Sequence, residues 1–141
     1  MERRTVPLGH LQISQQAKAY VLDALDNNRL SAGPYVGRFE SEFSRLHGSP
    51  ASIFTNSGTS ALQIALAALK EKHGYQDGDE VIVPAITFVA TANIVLQNNM
   101  LPVFVDVDAR TYNIDPALIE AQITPRTRAI IPVHLFGLPC D

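Results

Sequence analysis

Residues 51–69, ASIFTNSGTSALQIALAAL, decide how the chain is read. A short apolar run at 51–55 leads into residues 55–60, where five side chains bear a hydroxyl or an amide (Thr55, Asn56, Ser57, Thr59, Ser60) around Gly58. A long apolar segment follows. The pattern is a buried strand, a polar turn and a buried helix. Small polar groups at such a junction have two readings. Ser57 or Thr59 can cap the helix. Alternatively, the backbone N–H groups of Gly58, Thr59 and Ser60 form unpaired donors at the positive end of the helix dipole and cradle an anion, with phosphate the natural occupant. Gly58 permits close backbone approach, and Thr59 and Ser60 add hydroxyl donors. The stretch lacks the GK[ST] ending of a Walker loop.

Downstream, the same alternation continues. DGD (77–79) makes a turn, and EVIVP (80–84) is a second strand rich in β-branched residues. TFVATANIVLQNN (87–99) reads as a second helix and PVFVDV (102–107) as a third strand. Asp115 and Pro116 open a helix over PALIEAQI, and AIIPVHLF (129–136) is a fourth strand. Short apolar strands separated by helices imply right-handed crossovers and an α/β fold, a mostly parallel sheet flanked by helices. Upstream, Ala17, Tyr20, Val21, Ala24 and Leu25 share one helical face, with Ser14 as N-cap. RLSAGPYVG (29–37) then predicts a loop. Phe39, Phe43 and Leu46 return to helical spacing before a stop at Gly48. Residues 1–141 therefore read as the N-terminal part of a large domain, helical over 13–48 and alternating over 51–141. GLPCD (137–141) ends where a next helix would begin, the pattern of a truncated α/β domain.

With 46% hydrophobic and 18% charged residues, the composition is globular. A net charge of −3 with dispersed Lys and Arg points away from nucleic acid and from anionic membranes as partners. No apolar run reaches the roughly 20 residues of a membrane span, and no apolar signal region follows the charged start MERR. Cys140 is the sole cysteine, so neither a disulfide framework nor a thiolate metal cluster is expected, and a cytoplasmic protein is the default.

Beyond the carboxyl ends of parallel strands lies the usual ligand crevice. Phe88, in VPAITFVAT (83–91), is placed there and offers an aromatic face for a flat heterocycle, or else is a core residue. His134 ends the fourth strand and reads either as a site residue or as a hydrogen-bonded structural histidine. Asp106 and Asp108 follow the third strand as turn-makers or as a two-acid metal site. No catalytic triad or carboxylate pair is present, no metal is expected, and residue chemistry alone reaches a phosphate-binding α/β domain.

Five blocks in register carry more. LSAGPYVGRFESEFSRLHG (30–48), TNSGTSALQIALAAL (55–69), GDEVIVPAITFVATANIV (78–95), PVFVDVDARTYNIDP (102–116) and TRAIIPVHLFGLPCD (127–141) resemble the DegT/DnrJ/EryC1/StrS family. These are aminotransferases dependent on pyridoxal 5'-phosphate that act on nucleotide-linked keto sugars. The resemblance implies an aspartate-aminotransferase-like fold and a homodimer with its site at the subunit interface. It implies that Gly58, Thr59 and Ser60 hold the cofactor phosphate and that Phe88 stacks on its ring. Ser31, Gly33 and Tyr35 become candidates for contacts to the sugar nucleotide, and glutamate is the expected amino donor. The family attaches its cofactor through a lysine, and balances the ring nitrogen with an aspartate, in segments beyond residue 141. Lys18, Lys70 and Lys72 do not match that lysine motif. Catalysis is therefore expected of the full-length protein and not of residues 1–141 alone, which contribute no catalytic residue. Relatives with histidine in place of the lysine act as dehydratases, the first alternative. A non-catalytic phosphate-binding or regulatory module is the second.

Overall fold

A computed structural model describes residues 11–28 and 31–141. Two compact units make up the chain, Met1–Phe54 and Thr55–Asp141.

In the first unit, helix α1 (Gln15–Asp26) begins as the sequence predicts. The Ser14 hydroxyl accepts a hydrogen bond from the Ala17 amide at 3.1 Å. Helix α2 (Pro34–His47) starts earlier than expected, taking Pro34–Gly37 out of the predicted loop. Pro34 sits in the first turn, where a missing N–H costs nothing and its fixed φ suits the helix. Arg29 and Leu30 of that loop lie outside the described residues. Gly48 ends α2 in the left-handed conformation at φ 64°, a position that favours glycine because it lacks Cβ. Neither helix buries a residue. Val21, Leu25, Phe39, Phe43 and Leu46 keep 43–74% of their surface exposed, since so few residues cannot enclose a core.

The predicted first strand, residues 51–55, is not a strand. Ile53 and Phe54 are exposed, and the Phe54 amide donates to the Glu40 carboxylate at 2.8 Å instead of to a neighbouring strand. Without a ladder partner an extended segment is no sheet member, however apolar its side chains.

The second unit opens with helix α3 (Gly58–His73). Strand β1 (Glu80–Pro84), helix α4 (Ala90–Gln97), strand β2 (Leu101–Val105), the one-turn helix α5 (Pro116–Ile119) and strand β3 (Thr127–Ile130) follow. The sheet is parallel in the order β2-β1-β3. Central β1 is buried throughout, as its apolar run VIVP (81–84) requires. Val81 and Val83 face one side, against Leu66 of α3, Ile94 and Val95 of α4, and Met100. Ile82 faces the other, with Val105 and Ile114. Helices therefore flank a parallel sheet, as expected, with three described strands rather than four.

The predicted last strand is shortened. The Ile131 amide still donates to the Ile82 carbonyl at 2.9 Å, but Pro132 has no N–H with which to continue the ladder. The helix predicted from Thr87 begins at Ala90 and has no side-chain cap. PALIEAQI forms one α-turn capped by Asp115 and then a 3-10 turn at Glu120–Gln122.

Candidate functional site

Ser57 caps α3, so the capping reading holds. Its hydroxyl oxygen accepts from the Ser60 amide at 3.1 Å, and its carbonyl accepts from the Ala61 amide. This corrects the expectation that three amides stand open, because the Ser60 amide is engaged. The Ser60 hydroxyl is also committed, donating to Asn56 Oδ1 at 2.7 Å. Thr55 Oγ1 donates to the Ser57 carbonyl at 2.9 Å, which tightens the same turn. Among the described residues, the Gly58 and Thr59 amides and the Thr59 hydroxyl have no partner. A Cβ built at Gly58 meets nothing within 4 Å. The capped turn therefore leaves two backbone donors and a hydroxyl at the positive end of a 16-residue helix.

Phe88 is not a core residue: it is 72% exposed in the turn between β1 and α4. Thr87 Oγ1 and Thr91 Oγ1 lie 2.9 Å apart and fix that turn. Phe88 lines a cleft of about 500 Å³ with Ile86, Thr87, Tyr112, Leu135 and Phe136. Gly58, Thr59 and Ser60 do not line this cleft.

Residue chemistry did not foresee Tyr112, Asn113 or Phe136. Residues 106–115 leave β2 and return through an antiparallel bridge between Val107 and Ile114. Asp108 ties the tip. Its carboxylate accepts from the Arg110 and Thr111 amides at 2.9 and 3.0 Å, and these bonds hold its pKa below the usual carboxylate value. Its carbonyl accepts from the Tyr112 amide at 2.8 Å. Asp106 accepts from the Val107 amide, and no group of three metal-ligating side chains occurs among the described residues. Both acids are turn-makers. Asn113 is buried; its Oδ1 accepts from the Leu135 amide at 3.0 Å, and its Nδ2 donates to the Leu138 and Pro139 carbonyls. His134 Nδ1 accepts from the Cys140 amide at 3.0 Å, so the structural reading of His134 holds. Nothing in the polar run DARTYNIDP (108–116) singled out Asn113.

In the first unit, Ser31, Gly33 and Tyr35 share a cavity of about 430 Å³ with Asp23 and Asn27. The Tyr35 hydroxyl donates to Asp23 Oδ2 at 2.7 Å, and this bond raises the tyrosine pKa above its ordinary value. Tyr35 also packs on Tyr20, with ring centroids 5.1 Å apart.

The profile of the DegT/DnrJ/EryC1/StrS aminotransferase family matches residues 11–141. GDP-perosamine synthase of Caulobacter vibrioides is 47% identical over 123 residues, which cover 86% of this chain and 32% of that protein. The UDP-N-acetyl-3-dehydro-alpha-D-glucosamine 3-aminotransferase of Acidithiobacillus ferrooxidans is 50% identical over 117 residues, 83% of this chain and 31% of the relative. In structure, E. coli GDP-4-keto-6-deoxy-D-mannose-3-dehydratase with bound hydrated PLP superposes with a TM-score of 0.87. It is 31% identical, over 94% of this chain and 35% of its own. The chain belongs to the DegT/DnrJ/EryC1/StrS aminotransferase family and has the α/β fold of its members. It spans about a third of the length of the relatives it matches. Among the described residues, no helix is long and apolar enough to cross a membrane.

Proposed function

We propose that this chain forms the cofactor-anchoring part of a pyridoxal 5'-phosphate-dependent aminotransferase whose substrate is a nucleotide-linked keto sugar. The observation that carries this reading is the start of α3, where the Gly58 and Thr59 amides and the Thr59 hydroxyl stand without protein partners. Three free donors at a helix N-terminus fit a phosphate dianion. Ser60 keeps the turn in shape through Ser57 and Asn56. Phe88, exposed beside β1, offers a face to the pyridine ring. When bound, the cofactor supplies the electron sink for moving an amino nitrogen. The residues here hold its phosphate and orient its ring. Ser31, Gly33 and Tyr35 are the proposed contacts to the sugar nucleotide, with the Tyr35 hydroxyl aligned by Asp23.

The amino donor in this reading is glutamate and the working unit is a homodimer, supported by the apolar faces that α1 and α2 leave exposed. A cytoplasmic setting belongs to it as well, because phosphate-activated sugars are charged and cross a bilayer only with help. The closer identity to the aminotransferases, at 47 and 50% against 31% for the dehydratase, favours amino transfer.

The test is equilibrium dialysis of the chain against pyridoxamine 5'-phosphate, whose amine cannot condense with surface lysines. One saturable site, displaced by inorganic phosphate, is expected. Thr59→Ala should weaken it by about 1–2 kcal/mol, the scale of a charge-assisted hydrogen bond. Equal affinity in Thr59→Ala would show that Thr59 serves the helix alone.

A further inference from the structure

Segments that follow all three strands meet in one place. Thr87 and Phe88 come after β1, Tyr112 after β2, and Leu135 with Phe136 after β3, and together they line the cleft of about 500 Å³. Convergence beyond the carboxyl ends of parallel strands is where such sheets bind ligands. Three aromatic rings stand open there, with Phe88 72%, Tyr112 50% and Phe136 93% exposed.

Two of the rings are held at a cost. Tyr112 and Phe136 have φ of 59° and 53°, left-handed backbone that a bulky residue rarely adopts. Strain of this kind persists where surrounding bonds impose it, and it gathers at ligand clamps. The bonds are identifiable. The Asp108 turn fixes Tyr112. Asn113 grips residues 135, 138 and 139 on either side of Phe136. Neither ring repays this strain by burial, since both face solvent.

We infer that Tyr112 and Phe136 are additional ring-binding residues, which with Phe88 make a three-sided aromatic clamp for the heteroaromatic ring of the cofactor. The inference rests on the cofactor reading above and extends it from one stacking residue to three. Offset or edge-to-face contacts from two further rings restrict the pyridine laterally as well as from one face.

Pyridoxamine 5'-phosphate binding to the chain, followed by the ligand's own fluorescence in dialysis, tests the clamp. Phe136→Ala and Tyr112→Ala should each weaken binding about three- to tenfold, the range of a lost aromatic contact. Inorganic phosphate, which has no ring, should bind both variants as it binds the parent chain. Phe136→Gly removes the ring and relieves the left-handed strain, so it should lose affinity without losing thermal stability. Undiminished affinity in Phe136→Ala and Tyr112→Ala, with Phe88→Ala and Thr59→Ala both weakened, overturns the clamp and leaves the anchoring site intact. Binding of pyridoxamine 5'-phosphate that is absent, or indifferent to Thr59→Ala and Phe88→Ala alike, overturns both.

Discussion

Asn113 spends its whole side chain on backbone. One oxygen and one nitrogen serve three main-chain groups 22 to 26 residues away, in a residue only 4% exposed. Removing a buried amide leaves those groups to find water or go unpaired. Asn113→Ala should therefore cost about 1–3 kcal/mol, read as a lower urea midpoint. Asn113→Asp keeps the acceptor for Leu135 and should fall between the two. An unchanged midpoint in Asn113→Ala would show that solvent already reaches this turn. At this scale the sequence was informative where chemistry is local. Ser14, Ser57, Asp108 and Asp115 cap or tie the backbone within three residues of themselves, so spacing alone exposed them. Asn113 was illegible because its partners lie far along the chain, and Tyr112 and Phe136 because exposure is not written in residue type.

Elements follow their end signals closely. Gly48 stops α2 and Ser14 starts α1, both as the sequence predicts. At φ 64° an added Cβ at residue 48 meets no neighbour, so its cost is conformational alone. Gly48→Ala should destabilise α2 by about 1 kcal/mol and Gly48→Asn by less, measured as loss of helical circular dichroism on heating. An alanine variant as stable as glycine would mean that the helix end is free to re-form elsewhere. Strands were harder to read, because a strand exists only with a partner. Residues 51–55 and 80–84 are both short and apolar, yet only the second has neighbours on either side. Pro132 set the limit of β3, a signal the sequence carried within an otherwise strand-like run.

At the scale of the whole chain, the buried core lies almost entirely in the unit Thr55–Asp141, centred on β1. The amino end of that strand is polar and buried. Asp79 accepts from Arg128 Nε at 2.8 Å and from the Gln76 amide, and Glu80 accepts from Thr124, Thr127 and Arg126. Hydrogen bonds from Arg128 and Gln76 lower the Asp79 pKa, and those from Thr124 and the Arg126 charge lower that of Glu80. Both carboxyls are stronger acids folded than unfolded. Their stabilisation is complete above the ordinary carboxylate range near 4 and is lost as pH falls through their lower folded values. The melting temperature should hold from pH 7 to about 5 and fall below about 4, and Glu80→Gln should flatten that acid decline. A decline of equal steepness in Glu80→Gln would place the acid sensitivity elsewhere. Arg128 on β3 and Arg126 just before it lie 49 and 46 residues from Asp79 and Glu80, so no spacing rule announced these ion pairs. By itself the sequence determined the alternation of strands and helices, the caps and the family, because periodicity, capping and motif order are local or linear properties. Only the tertiary structure decided that residues 51–55 pair with no described strand, that Asn113 holds residues 135, 138 and 139, and that Phe88, Tyr112 and Phe136 share a cleft. Those outcomes depend on which distant backbone and side-chain groups meet, and a linear pattern does not encode such meetings.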